Sequence, residues 1–396
     1  MIIKIDTSLN SFHLPCIVPY DKDYYIELEG YLKKYFNHIQ RIDNLPKECV
    51  DKTHDNIDLI LKSLKLYNNA KVCETKECIK KLLSDYCNKP YIIAPIDKNY
   101  AFRGMAPVEI QPKEYINNNK YARLYNKMNE HPLYFFKARV AVDSINRKDM
   151  LHIPFDKRGV IATQRFSIAG VPCLYLATTS FGCWLEMGMP ELDLFQVSAF
   201  KIPDSMRVLN LCISQHTING STGGGYVDEQ ELQNVCSLIE IFPLVIATSF
   251  RVQELNRSFK SEYIISQLLM QVVNDLEIAG IAYLSKKMED GYAYPQTVNM
   301  AILMPCDKLP PYQKESLKMY WKDATKIRLC DAFRYSKFLD DKVKFKRPFL
   351  SFINKFYYNH RIFNNVLLGG TVIKYTKSKF SEFDEFLLRQ PFHKFK

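Results

Sequence analysis

Apolar positions recur along this chain with two different periods. In the front part the spacing is helical: apolar side chains return at three- to four-residue intervals over Tyr24 to Ile42, Ile57 to Tyr67 and Cys78 to Tyr86, and each stretch predicts an amphipathic helix. Pro90, Pro95, Pro107 and Pro112 then interrupt the pattern before a last helix expected around Glu114 to Met128, which sets a boundary near residue 130. Beyond it the period shortens to two. Leu133 to Val140, Val160 to Phe166, Cys173 to Ala177, Leu194 to Phe200 and Met206 to Leu211 read as strands. Two longer amphipathic helices follow, Glu229 to Ile246 and Glu262 to Leu276, and strands return over Ile281 to Leu284 and Val298 to Met304. Glu382 to Arg389 reads as a terminal helix. The alternation is too irregular for a doubly wound parallel sheet, so the expected class is α+β. Three divisions result: a helical N-terminal domain (1–129), a mixed domain (130–306) and a C-terminal extension (307–396).

Composition narrows the function classes. At 396 residues and 47% hydrophobic, the chain has material for two or three proper cores, which argues against a disordered or fibrous protein. The longest apolar stretch, Ile239 to Phe250, contains a proline and falls short of a membrane span, and the opening Met1 to Asp6 lacks a signal-peptide profile. A cytoplasmic protein without a membrane partner is therefore expected. Eleven cysteines, an odd number without close pairing, suit a reducing compartment and small core positions.

A net charge of +11 favours anionic ligands, either nucleic acid or a small phosphorylated substrate in a basic pocket. Lys342 to Phe363 interleaves basic and aromatic residues as a single-strand-binding surface would, but the same spacing describes an amphipathic element packed on the domain. Thr222-Gly-Gly-Gly225 lacks a Gly-Lys-Ser/Thr or GxGxxG frame and reads as a flexible loop. Cys73, Cys78 and Cys87, with His54 upstream, lack CxxC spacing, so no metal site is expected there.

The chemistry concentrates between residues 139 and 186. Arg139 and Arg165-Phe-Ser167 precede Gly170-Val-Pro-Cys-Leu-Tyr-Leu-Ala177, and Cys183-Trp-Leu-Glu186 follows. A glycine turn feeds a short strand carrying a tyrosine, two arginines come before it, and a glutamate comes after it in the first turns of a helix. That set suits a dianionic, cationic-headed substrate such as NAD+. Arginine forks hold a pyrophosphate, an aromatic ring stacks on nicotinamide, and a carboxylate stabilises the sugar cation left when nicotinamide departs. Each residue also has an ordinary reading: the arginines as strand-edge ion-pair partners, Tyr175 as a core tyrosine, Glu186 as a complement to its helix's N-terminal dipole.

Arg165-Phe-Ser-Ile-Ala-Gly-Val-Pro-Cys-Leu-Tyr-Leu-Ala177, followed by Trp184-Leu-Glu186, resembles the RES-domain proteins, a family named after arginine, glutamate and serine residues. Leu151-His-Ile-Pro-Phe155 and Gly280-Ile-Ala-Tyr-Leu-Ser285 resemble its long form, so the resemblance covers about residues 130 to 306. It implies a fold similar to diphtheria-toxin-type ADP-ribosyltransferases and an activity that destroys NAD+ by cleaving its nicotinamide glycosidic bond. It also implies a bacterial toxin, whose short relatives are neutralised by a partner antitoxin with a Xre-type DNA-binding fold. Residue by residue, it places the family's arginines at Arg139 and Arg165, its tyrosine at Tyr175, its glutamate at Glu186 and its serine at Ser285. By that reading Glu186, Tyr175, Arg165 and Ser285 are catalytic, while Arg139, Arg165, Tyr175 and Ser285 bind NAD+, which is substrate rather than cofactor. Ser285, ending a strand, also has a plain turn or helix-cap reading.

The acceptor stays open among water or inorganic phosphate, giving NAD+ depletion, and a protein side chain, giving ADP-ribosylation. Thr178-Thr-Ser180 is similar to the Ser-Thr-Ser segment of other ADP-ribosyltransferases, yet their Glu-x-Glu pair is missing because position 184 is Trp, which disfavours arginine-directed modification. A nucleic-acid-binding protein using the basic tail is the third reading. The chain departs from short RES toxins by about 130 residues in front and about 90 behind, which would serve as a built-in regulator or as a sensor of a trigger such as phage infection.

Overall fold

The computed structural model describes residues 3–7, 9, 11–20, 22–103, 133–153, 155–221, 226–227, 229–254, 256–288, 296–304, 327–340, 365–368 and 371–394. The helix expected at Glu114 to Met128, the boundary near residue 130, the loop at Thr222 to Gly225 and the basic-aromatic stretch Lys342 to Phe363 lie outside the described residues.

Three helices form the front layer: α1 (Tyr24–Ile39), α2 (Lys47–Asn68) and α3 (Val72–Ser84). Asp23 starts α1 by accepting from the amides of Tyr25 and Ile26, and Tyr24, Leu28, Leu32, Tyr35 and Ile39 then bury one stripe. Helix α2 begins ten residues before the expected Ile57. Its first turns bury Thr53 and Asn56, so the apolar period starts late. Thr53 donates to the Cys49 carbonyl at 2.7 Å, and Asn56 donates to the Tyr86 hydroxyl at 2.7 Å and the Glu240 carbonyl at 2.8 Å.

Among the described residues three strand pairs form separate two-stranded sheets, and ten strands build one sheet. In chain order they are β1 (Ile93–Pro95), β2 (Phe135–Val140), β3 (Cys173–Ala177), β4 (Phe195–Lys201), β5 (Arg207–Leu211), β6 (Gly280–Leu284), β7 (Val298–Leu303), β8 (Arg328–Leu329), β9 (Phe333–Arg334) and β10 (His393–Lys394). Their spatial order is β10-β8-β4-β2-β3-β7-β6-β5-β1, with β9 also pairing β4. Only β5 and β6 pair in parallel within this sheet. Helices that cluster on a mainly antiparallel sheet make the fold α+β. At Gly280 a Cβ would come within 2.5 Å of the Ala301 carbonyl, so the close approach of β6 to β7 requires glycine there.

Alternation along the strands assigns the faces. Leu174, Leu176, Val208, Ala282, Leu284, Met300 and Ile302 belong to one core cluster. Their neighbours Leu209, Leu211, Ile281 and Ala301 face the other way, into a cluster shared with the front helices, α5 (Glu229–Ala247) and α6 (Ile264–Val273). Pro243 lies inside α5 and cannot bond the Ile239 carbonyl four residues back; Tyr35 of α1 donates its hydroxyl to that oxygen at 2.8 Å. Tyr24 likewise donates to the Ala247 carbonyl at 2.6 Å, which fixes the front layer on α5.

A third cluster joins β2 and β4 to α4 (Ser180–Glu186) and α7 (Lys379–Leu388), with Phe181, Phe380, Phe383 and Leu387 buried between them. Among the described residues every cysteine is free, and all but Cys73 and Cys87 are buried. No helix of the described residues is long and apolar enough to cross a membrane.

One expected strand is absent. Residues 155–160 form 3-10 turns and 161–166 run irregularly. Ser167 closes this segment on itself, accepting from the Gln164 amide at 3.1 Å and donating to the Gln164 carbonyl at 2.9 Å, so the backbone turns instead of pairing.

Candidate active site

Strands β2 and β3 are neighbours in the sheet but share a single register pair, Phe136 with Ala177. From that pair toward Arg139 and Cys173 the two strands are unpaired, and a cavity of about 510 Å³ opens along the gap, a size ordinary for a small-molecule site. Asn299 of β7 lies between Ala177 and Tyr283, and Ala301 lies between Tyr175 and Ile281, so β7 separates the two tyrosines and brings Asn299 beside the second.

Arg139, Arg165, Tyr175 and Glu186 all line this cavity, although up to 47 positions separate them in sequence. Ser285 meets them through Glu186. Its hydroxyl donates to Glu186 Oε1 at 2.5 Å, and Asn299 Nδ2 donates to the same oxygen at 2.7 Å. Oε2 carries no hydrogen bond among the described residues.

Glu186 is the last residue of α4 rather than part of its first turns. At the C-terminal end the helix dipole disfavours a carboxylate, so complementing an N-terminal dipole does not explain this residue. Two converging donors hold the charge instead. The helix itself is short because Thr179 caps its start, accepting from the Gly182 amide at 2.9 Å, and Gly188, at φ +80°, ends it. Trp184 faces away from the cavity, donating to the Pro190 carbonyl at 2.9 Å and packing on Phe380.

The two arginines are held differently. Arg165 projects from the Gln164–Ser167 turn and donates to the Thr248 carbonyl at 3.0 Å and the Phe250 carbonyl at 2.6 Å, while its guanidinium lies 4.8 Å from the centre of the Tyr263 ring. It ties the turn to the end of α5. Burial lowers its pKa, opposed by the nearby Tyr263, Tyr283 and Glu186. Arg139 donates to the Leu151 carbonyl at 3.1 Å, and its buried Nε has no acceptor. Gln196, opposite Arg139 on β4, pins the chain just beyond it by donating to the Ala141 and Asp143 carbonyls and accepting from the Ile145 amide.

Tyr175 donates to the Phe166 carbonyl at 2.8 Å, and burial raises its pKa well above the usual phenol range. Gly170, at φ +73°, makes the turn that leads into its strand. Ser285 sits just past β6, accepting from the Lys287 amide at 3.2 Å, so it is a turn residue as well as a donor to Glu186.

Several cavity residues escaped the linear motif. Lys137, Arg251, Lys286 and Lys287 add to the positive charge of the two arginines, against Glu186 as the one carboxylate among the described lining residues. Tyr263 and Tyr283 add aromatic surface, and burial raises the pKa of both hydroxyls. Lys137 was legible as the residue two before Arg139 on one strand, hence on the same face. Asn299 carries no such signal, because only the pairing of β7 with β3 brings it to Glu186. Among the described residues no group of three or more His, Cys, Asp or Glu could hold a metal ion.

No family model matches the chain, and no solved structure matches it. Over 301 residues it is 29% identical to the Bacillus subtilis (strain 168) protein named "Putative toxin YopC", a match covering 72% of this chain and 62% of that protein. The chain thus spans less than two thirds of the length of that relative. The similarity is to a toxin-like protein.

Proposed function

We propose that this chain is an NAD+-degrading enzyme that acts as a toxin. The observation that carries the reading is the state of Glu186: a carboxylate at a helix C-terminus, with one oxygen fixed by Ser285 and Asn299 and the other open to a cationic, tyrosine-lined cavity. Such a group is suited to a ligand that develops positive charge. In NAD+ the bond from the ribose anomeric carbon to the nicotinamide nitrogen breaks with both electrons going to nicotinamide, which leaves neutral. No general acid is needed on the departing ring. The ribose becomes oxocarbenium-like, and Glu186 Oε2, accepting from a ribose hydroxyl, strengthens its hold as that charge appears. Water then adds to the anomeric carbon and gives up a proton. Inorganic phosphate or a protein hydroxyl would intercept the same cation.

The tyrosines offer faces for nicotinamide, and the basic walls suit the diphosphate. The toxin part of the reading draws support from the name of the Bacillus subtilis relative. A fold of the ADP-ribosyltransferase kind, as the RES resemblance implies, is part of the proposal. Expression from an inducible promoter tests it. The wild-type chain should deplete cellular NAD+ before growth stops, and Glu186→Gln should do neither. Growth arrest with NAD+ at its resting level would refute the reading.

A further inference from the structure

The charges of the cavity are divided between its walls. Glu186 exerts its field on Arg165, whose guanidinium is already engaged by two carbonyls and a tyrosine ring. On β2 the situation differs. Lys137 and Arg139, two apart on the strand, both line the cavity, and across β4 they face neutral Ser198 and Gln196. Arg139 feels the exposed Asp149 but leaves its buried Nε without an acceptor. Lys137 makes no hydrogen bond or ion pair among the described residues. From neighbouring elements Cys173 of β3 and Cys183 of α4 approach it, and burial keeps both thiols neutral by raising their pKa. Two like charges side by side in a half-buried wall are costly unless an anion joins them. In keeping with this, burial and then the charge of Arg139 pull the Lys137 ammonium down to about 8.

We infer that Lys137 and Arg139 together form a seat for a phosphate-class oxyanion, with Lys137 the residue that sets its affinity. This rests on the NAD+ reading for the identity of the ligand but not for the existence of the seat. Arg165, by contrast, acts chiefly as a tie between the Gln164–Ser167 turn and α5. The anion is supplied either by the diphosphate of the nucleotide or by free inorganic phosphate, and the two sources can be titrated separately.

The test is calorimetric titration of ADP-ribose, inorganic phosphate and adenosine into the full-length protein, as wild type, Lys137→Gln and Lys137→Arg. If the diphosphate occupies the seat, Lys137→Gln weakens ADP-ribose at least tenfold, Lys137→Arg retains most of the affinity, and adenosine binding does not change. If free phosphate occupies it, phosphate binding disappears in Lys137→Gln while ADP-ribose is unaffected; the seat stands and its occupant is identified. Unchanged affinity for both anions in a folded Lys137→Gln protein overturns the proposal. A wild type that binds these anions through Lys137 yet leaves NAD+ intact would retain the seat and refute the NAD+ reading.

Discussion

Replacing Asn299 by alanine removes one of two donors from Glu186 Oε1 without touching the carboxylate itself. The amide is almost fully buried and lies 2.7 Å from that oxygen, beside the Ser285 hydroxyl at 2.5 Å. A hydrogen bond to a charged acceptor contributes about 1.5–3 kcal/mol. At 1.36 kcal/mol per factor of ten in rate, Asn299→Ala should lower kcat by roughly ten- to a hundredfold if the orientation of Glu186 governs the barrier. Glu186→Ala alone should cost about 10²–10³ in kcat, as for other single electrostatic groups. The decisive quantity is the coupling. Once Glu186 is alanine, Asn299 has no carboxylate to orient, and its replacement should change the rate less than about twofold. The assay is the initial rate of nicotinamide release at saturating NAD+ for the four proteins of the cycle, with thermal unfolding to show that each is folded. The same loss with and without Glu186 would mean that Asn299 acts independently of the carboxylate, and the positioning argument would fail.

Other outcomes follow from the same geometry. Arg165→Met leaves the Thr248 and Phe250 carbonyls without their donor, so urea unfolding should show a loss of about 2 kcal/mol or more, whereas Arg139→Met, which bonds one carbonyl, should lose less; equal losses would contradict the structural role given to Arg165. Asp384 accepts from the Ser180 amide at the start of α4 and from the Tyr375 hydroxyl, and burial, opposed by those bonds, raises its pKa to about 7 from 3.8. The folded chain therefore keeps a proton that the unfolded chain releases, and the stability this confers is present below about 3.8 and lost as pH rises through about 7. Asp384→Asn should vary less in unfolding free energy between pH 4 and 7 than wild type, and an unchanged slope would refute the assignment. Because the Lys137 ammonium titrates near 8, the affinity for ADP-ribose should fall as pH rises from 7 to 9, and Lys137→Arg should lose that step; a step that persists in the arginine variant belongs to another group.

Sequence periodicity located most elements because burial acts along them locally. β3 occupies Cys173–Ala177 as expected, and α5 spans nearly the expected Glu229 to Ile246, since one apolar face identifies each. Failures occurred where polar contacts replace apolar ones. Thr53 and Asn56 extend α2 through hydrogen bonds, and Ser167 turns back a segment whose apolar residues read as a strand. The site was legible as a set of residue types between 139 and 186 but not as a geometry. Nothing in the linear spacing says that Glu186 ends its helix, that Arg165 is tied to carbonyls 83 and 85 residues away, or that Asn299 arrives by strand register. The last two depend on contacts between residues far apart in sequence, and that of Asn299 on cross-strand pairing, which a single chain of letters does not encode locally.

We propose that the cavity between β2 and β3 cleaves NAD+ through Glu186. Purified full-length protein incubated with NAD+, with and without inorganic phosphate, tests it most directly when nicotinamide, ADP-ribose and phosphorylated ADP-ribose are separated by chromatography. The wild type should release nicotinamide stoichiometrically with an ADP-ribose product whose form names the acceptor, and Glu186→Ala should lose at least about a hundredfold in rate. Intact NAD+ with the folded wild type, or equal cleavage by the alanine variant, would contradict it.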